Sequence, residues 1–164
     1  MNLFVTHSCP KKSAKYLDDK RVVKMLLETA QLLCTTAWEL GIEAPYKPTH
    51  RNHPVTKWVR DSRDNFIWTC QYFAALSDQY LCRYGKFHKS YMTVLECGVL
   101  TTVAMTGNFG KESLTDFANC AANSTKGLSY KHVKDVHVAY RKYLRDLWQN
   151  HDKNPKLNKK GIKK

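Results

Sequence analysis

Between Lys11 and Leu40 the apolar residues Val22, Val23, Leu26, Leu27, Ala30, Leu33, Cys34, Ala37 and Trp38 recur at steps of three and four. That period gathers them on one broad face of a helix and scatters them on a strand. A face this wide needs other elements to cover it. The rest of the chain supplies further helical patterns and almost nothing with a period of two. The one extended stretch, Asn2 to Thr6 with Leu3, Phe4 and Val5, is too short for more than an edge strand or an anchored arm. The expected fold is therefore all-α, a single compact domain of four to five helices with an extended N-terminal arm.

The punctuation supports this division. Ser8 and Pro10 mark a helix start, and Gly41 marks the end of the first helical stretch, with room for a kink near Asp18 and Asp19. Residues 42–53 carry Pro45 and Pro48 and no periodicity, which predicts a loop. Pro54 then opens a second long helix from Val55 to Tyr84, packed through Trp58, Val59, Phe66, Phe73, Leu76 and Tyr80 and ended by Gly85. A third helix is expected from His88 to Met105, then a turn from Thr106 to Gly110. Ser113-Leu-Thr-Asp116 resembles a capping box and predicts a short helix through Ala122. Asn123 to Ser129 reads as a loop, and Tyr130 to Asn150 as a final helix. The domain is assigned to residues 1–150. Residues 151–164, rich in lysine and poor in apolar groups, read as a flexible tail, either a phosphate-binding arm or a solubilising extension.

Charge narrows the function classes. The 164 residues contain 27 Lys and Arg against 14 Asp and Glu, a formal net charge of +13. An excess of that size on one small domain is a footprint for polyanions, nucleic acid first. An anionic membrane surface is the weaker choice, because no amphipathic anchor or lipidation motif accompanies the charge. No apolar run is long enough to span a bilayer and the N-terminus lacks a signal-peptide pattern. The six cysteines form no Cys-x-x-Cys pair and fall mostly in helical apolar patterns, as reduced, buried residues of an intracellular protein do. Phosphate-binding loops, dinucleotide glycine patterns, serine-hydrolase elbows and zinc-deaminase signatures are all missing from the sequence. No cofactor and no metal are expected.

Three segments carry candidate chemistry. On the first long helix Lys20, Lys24, Glu28 and Gln31 share one face, with Asp19 and Arg21 beside them. An exposed Lys–Glu stripe of this kind is ordinary helix-surface pairing. Turned toward a pocket, it offers an acid or base in Glu28 or Asp19 and an amine or phosphate ligand in Lys20 or Lys24. The second segment, Pro48-Thr-His-Arg-Asn-His-Pro54, brings His50, Asn52 and His53 to a helix N-terminus, with Arg51, Lys57, Arg60 and Arg63 around it. Such an end attracts anions, although Asn52 or His53 is equally suited to simple capping. The third, Arg83-Tyr-Gly-Lys-Phe-His-Lys89, places Arg83, Lys86, His88 and Lys89 among aromatics. That pattern suits a nucleic-acid backbone with stacking, or a hydrated turn whose rings enter the core.

Taken together, Asp19–Leu33, Tyr46–Pro54, Trp58–Ser62 and Arg83–Lys89 resemble a small family of bacteriophage proteins and, through it, the pyrimidine-dimer DNA glycosylases of the phage endonuclease V type. The resemblance covers roughly residues 1–90. It implies a compact, basic, all-α enzyme that acts on double-stranded DNA with a flipped nucleotide, in the cytoplasm of an infected bacterium. It also implies that the N-terminal amine attacks the sugar C1′ to form a Schiff base, assisted by a glutamate of the first long helix. The family's nucleophile is a small residue exposed by removal of Met; here residue 2 is Asn2, and a retained Met1 would leave Lys20 or Lys24 as substitute amines. The expected function is a DNA base-processing enzyme acting on pyrimidine nucleotides, with Asp19, Lys20, Lys24, Glu28, His50, Asn52 and His53 as catalytic candidates. Arg21, Arg51, Lys57, Arg60, Arg63, Arg83, Lys86, His88 and Lys89 are the candidates for binding DNA. A transferase that modifies pyrimidines in phage DNA and a non-enzymatic phage DNA-binding protein are the rival readings.

Overall fold

The computed structural model describes residues 1–152 and 155–157. Seven α-helices are found among them: α1 Pro10–Tyr16, α2 Asp19–Glu39, α3 Pro54–Asp61, α4 Arg63–Tyr84, α5 Lys89–Glu96, α6 Val99–Thr106 and α7 Val136–Asp146. A two-stranded antiparallel hairpin, β1 Ala122–Asn123 and β2 Leu128–Ser129, encloses a 3₁₀ turn at Ser124–Lys126, and a π-helical turn, Leu147–His151, follows α7. Helix α2 packs along α4, with α3, α5 and α6 also against it, and α1 lies on α4. Leu26, Ala30, Leu33, Cys34 and Ala37 of α2 meet Phe66, Phe73 and Leu76 of α4 in a core with essentially no solvent access.

The all-α class is as expected, but the helices are shorter and more numerous, and each extra break has a local cause. The first stretch is broken rather than kinked: Leu17 is extended, and Asp18 caps α2 by accepting from the Arg21 N–H at 3.1 Å. The second breaks at Ser62, which is extended and accepts from the Asn65 N–H at 3.2 Å. The third breaks at Gly98, whose φ of +67° is a left-handed conformation that a side chain would strain. The expected helix at Ser113–Ala122 does not form. Residues 111–115 instead cap α4: Lys111 and Glu112 carbonyls accept from the Arg63 and Asp64 N–H groups, and Thr115 exchanges two hydrogen bonds with the buried Asn65 side chain. The final helix begins at Val136 instead of Tyr130, because Asp135 accepts from the His137 and Val138 N–H groups.

Between α6 and this capping segment the chain passes close to the core. A Cβ on Gly107 would lie 2.6 Å from the Val103 carbonyl oxygen and 2.9 Å from the Phe109 ring. Gly107→Ala is expected to destabilise the fold by about 1–3 kcal/mol through overpacking. Urea denaturation checks this, and an unchanged midpoint would refute it.

The N-terminal arm is an anchored arm and not an edge strand. Leu3, Phe4 and Val5 are buried. Phe4 has φ +46°, a left-handed turn that costs a residue with a side chain on the order of 1–2 kcal/mol. Its ring lies 6.0 Å from Tyr140 and 6.1 Å from Tyr143 on α7, so aromatic burial offsets the strain. The start of the tail is also docked: the Asp152 carboxylate bonds Arg21, and the Lys156 carbonyl accepts from the Asp19 N–H at 3.1 Å. The flexibility expected of the lysines at 153, 159, 160, 163 and 164 lies outside the described residues.

Candidate active site

The arm delivers the chain start to Glu28, a candidate acid of α2 that lines a cleft. Asn2 is the hinge of this placement: its side-chain oxygen accepts from the Tyr140 hydroxyl at 2.7 Å and its amide donates to the Cys120 carbonyl at 3.2 Å. With its side chain held, the Asn2 backbone N–H donates to Glu28 Oε2 at 2.9 Å, and the Met1 amino group lies 3.4 Å from the same oxygen. Lys24, one helical turn away, reaches Glu28 Oε1 at 3.3 Å. The Glu28 side chain is 13% exposed and Lys24 67%, so the carboxylate is recessed behind a lysine that faces solvent.

Around this centre is a cleft of about 300 Å³, the lower end of the usual range for ligand pockets and enough for a single nucleoside unit. One wall is α2, with Lys20, Arg21, Lys24, Met25 and Glu28. Met1, Asn2 and Phe4 of the arm also line it. The rest of the lining comes from far along the chain: Ala122, Asn123 and Lys126 of the hairpin, then Tyr143, Leu147 and Asp152. Arg21 is not a free cation. It pairs with Asp18 at 2.6 Å and Asp152 at 2.8 Å, and Asp18 also accepts from the Trp148 indole at 2.7 Å. Burial works against charge on both Arg21 and Asp152, yet Asp18 first and then Asp152 raise the Arg21 pKa, and Arg21 with Lys20 lowers that of Asp152. Lys20 reaches Asp152 at 3.3 Å.

The other sequence candidates are distributed around and away from this cleft. Asp19 is not in it; it pairs with Arg83 at 2.9 Å, and Arg83 also donates to the Leu17 carbonyl. His53 caps α3 by accepting from the Val55 N–H at 3.2 Å. Burial lowers its pKa first, helped by the N-terminal ammonium, His50 and Lys131, while Glu28 opposes them. His50 has φ +49° and bonds the Thr49 hydroxyl, and Asn52 is exposed in the same turn. Arg51 and Arg60 converge on Glu39, and Lys57 is exposed on α3. Arg63 pairs with Glu112, donates to the Ala104 and Gly107 carbonyls and lies over the Phe109 ring. His88 caps α5, with Lys86 and Lys89 exposed beside it.

Sequence reasoning missed Phe4, Met25, Asn123, Lys126 and Asp152 as parts of this cleft. Met25 is hidden among the apolar residues of α2 itself, and the others meet α2 only through long-range folding. The cysteines are all free thiols, and burial pushes Cys34 up to about 11 and Cys70 up to about 12, so both stay protonated. No cluster of metal-ligating side chains occurs among the described residues, and no helix there is long and apolar enough to cross a membrane.

The profile of the pyrimidine dimer DNA glycosylase family matches residues 1–93. This chain belongs to that family. The matched part of this glycosylase-family member holds the arm, α2 and Glu28, whereas the rest of the lining lies beyond the match. No curated protein and no solved structure matches the chain.

Proposed function

We propose that the protein is a DNA glycosylase with lyase activity that attacks a pyrimidine nucleotide of damaged duplex through its N-terminal amine. The observation that carries this reading is the 3.4 Å approach of the Met1 amino group to Glu28 inside a nucleoside-sized, cation-lined cleft. The amine, after losing a proton, attacks C1′; the C1′–N bond breaks and the base leaves with its bonding electrons and takes up a proton. The amine then loses its remaining acidic proton as the ring C1′–O4′ bond opens to a Schiff base, with O4′ protonated. Glu28 accepts and returns these protons. Removal of a 2′ proton next expels the 3′ phosphate by elimination. Lys20 and Lys24 stabilise the phosphates. The Asn2 backbone nitrogen, already 2.9 Å from Glu28, would keep the same geometry if Met1 were removed.

The test is borohydride trapping with UV-irradiated and undamaged duplex. A covalent complex on irradiated DNA only is expected, with the adduct mapping to the N-terminal peptide. An adduct on Lys20 or Lys24 would move the nucleophile to the helix. No adduct with either duplex, despite salt-sensitive binding, would sink the Schiff-base chemistry in favour of a protein that binds DNA without cleaving it.

A further inference from the structure

We infer that Lys126, on the hairpin beyond the family-matched segment, is a phosphate-binding residue for the nucleotide held in the cleft; this rests on the reading that the cleft takes DNA. Among the described residues that line the cleft, the other cations are each met by a carboxylate: Lys20 by Asp152, Arg21 by Asp18 and Asp152, Lys24 by Glu28. Lys126 has no such partner among the described residues, so its ammonium meets an incoming anion without first giving up an internal ion pair.

Its position is built. Asn123 accepts from the Lys126 N–H at 3.2 Å, closing the 3₁₀ turn, and Gly127 ends that turn in a left-handed conformation. The strands pair Ala122 with Ser129 and Asn123 with Leu128, and the Tyr130 N–H donates to the Ala121 carbonyl at 2.8 Å. At the foot of the hairpin the Asn2 side chain holds the Cys120 carbonyl. The lysine and the chain start are therefore tied to the same few residues. A nucleotide whose sugar lies over the amine carries a phosphate on each side. Lysines from two separate elements match that, Lys20 and Lys24 on α2 and Lys126 on the hairpin, each acting as a compact point charge with three donors.

The test measures binding of undamaged and UV-irradiated duplex across 50–200 mM salt, with trapping run in parallel, for the wild type, Lys126→Ala, Lys126→Arg and Lys47→Ala. Lys47 is an exposed lysine outside the cleft. One lost phosphate contact lowers the salt slope by about 0.9, which corresponds to about eightfold weaker binding at 0.1 M salt. That loss is expected for Lys126→Ala, with recovery in Lys126→Arg and a smaller change in Lys47→Ala. An unchanged slope in Lys126→Ala, or an equal drop in Lys47→Ala, overturns the assignment. Trapping by the wild type with an unchanged Lys126→Ala slope leaves the glycosylase reading standing without this residue. A lowered slope with no trapping by any form keeps the phosphate contact and removes the chemistry.

Discussion

Glu28→Gln is expected to lower strand cleavage by about 10²–10⁴-fold, the usual contribution of a positioned acid–base group, and to abolish the trapped complex. The substitution keeps the size of the side chain and its ability to accept from the Asn2 N–H at 2.9 Å. It removes the carboxylate that lies beside the Met1 amino group and the Lys24 ammonium. Three cations then share the α2 wall with no counter-charge at residue 28, so duplex binding should hold or tighten. Cleavage assays under single turnover and a binding titration separate the two effects. Retained turnover in the variant would remove Glu28 from the chemistry, and lost binding would make its role structural.

Arg21→Ala is expected to cost about 3–5 kcal/mol of stability, because it leaves buried carboxylates without their cation. Asp18 is 1% exposed and Asp152 is recessed beside it, and between them they join the start of α2 to Trp148 and to the docked start of the tail. The same network sets a pH dependence. Asp152 has a folded pKa below its ordinary value, so its contribution is present above about pH 4 and is lost as the pH falls through the folded pKa. The variant should show a lower calorimetric midpoint near neutral pH and a flatter fall toward acid. A loss below about 1 kcal/mol would mean that water replaces Arg21 around these carboxylates.

The two predictions divide along the cleft. Glu28 could be picked out from spacing, since Lys20, Lys24, Glu28 and Gln31 must share a face once α2 is a helix. Arg21 was visible only as a cation. Its pair with Asp18 is local, but its second carboxylate, Asp152, lies 131 residues away along the chain. The same contrast runs through the helix boundaries. Gly85 stops α4 where its position suggests. Ser62 and Gly98 also break helices, yet each lies inside an apolar pattern that continues across it, because neighbouring helices bury the same side of the core.

Local periodicity was enough for the all-α class and the polar face of α2, because a helix imposes its repeat on every residue it contains, whereas the choice between an edge strand and an anchored arm for residues 2–6 was left to packing against α7. The capping of α4 by residues 111–115 shows where this stops: Ser113-Leu-Thr-Asp116 has the form of a helix start, but its groups bond Ser62 and Asn65 instead. A short helix alone is marginal in water, so capping the free N–H groups of a long buried helix wins. The cleft was decided the same way. Its amine, its recessed carboxylate and its hairpin lysine come from residues 1, 28 and 126, and only packing of the arm between α2, α7 and the hairpin brings them together.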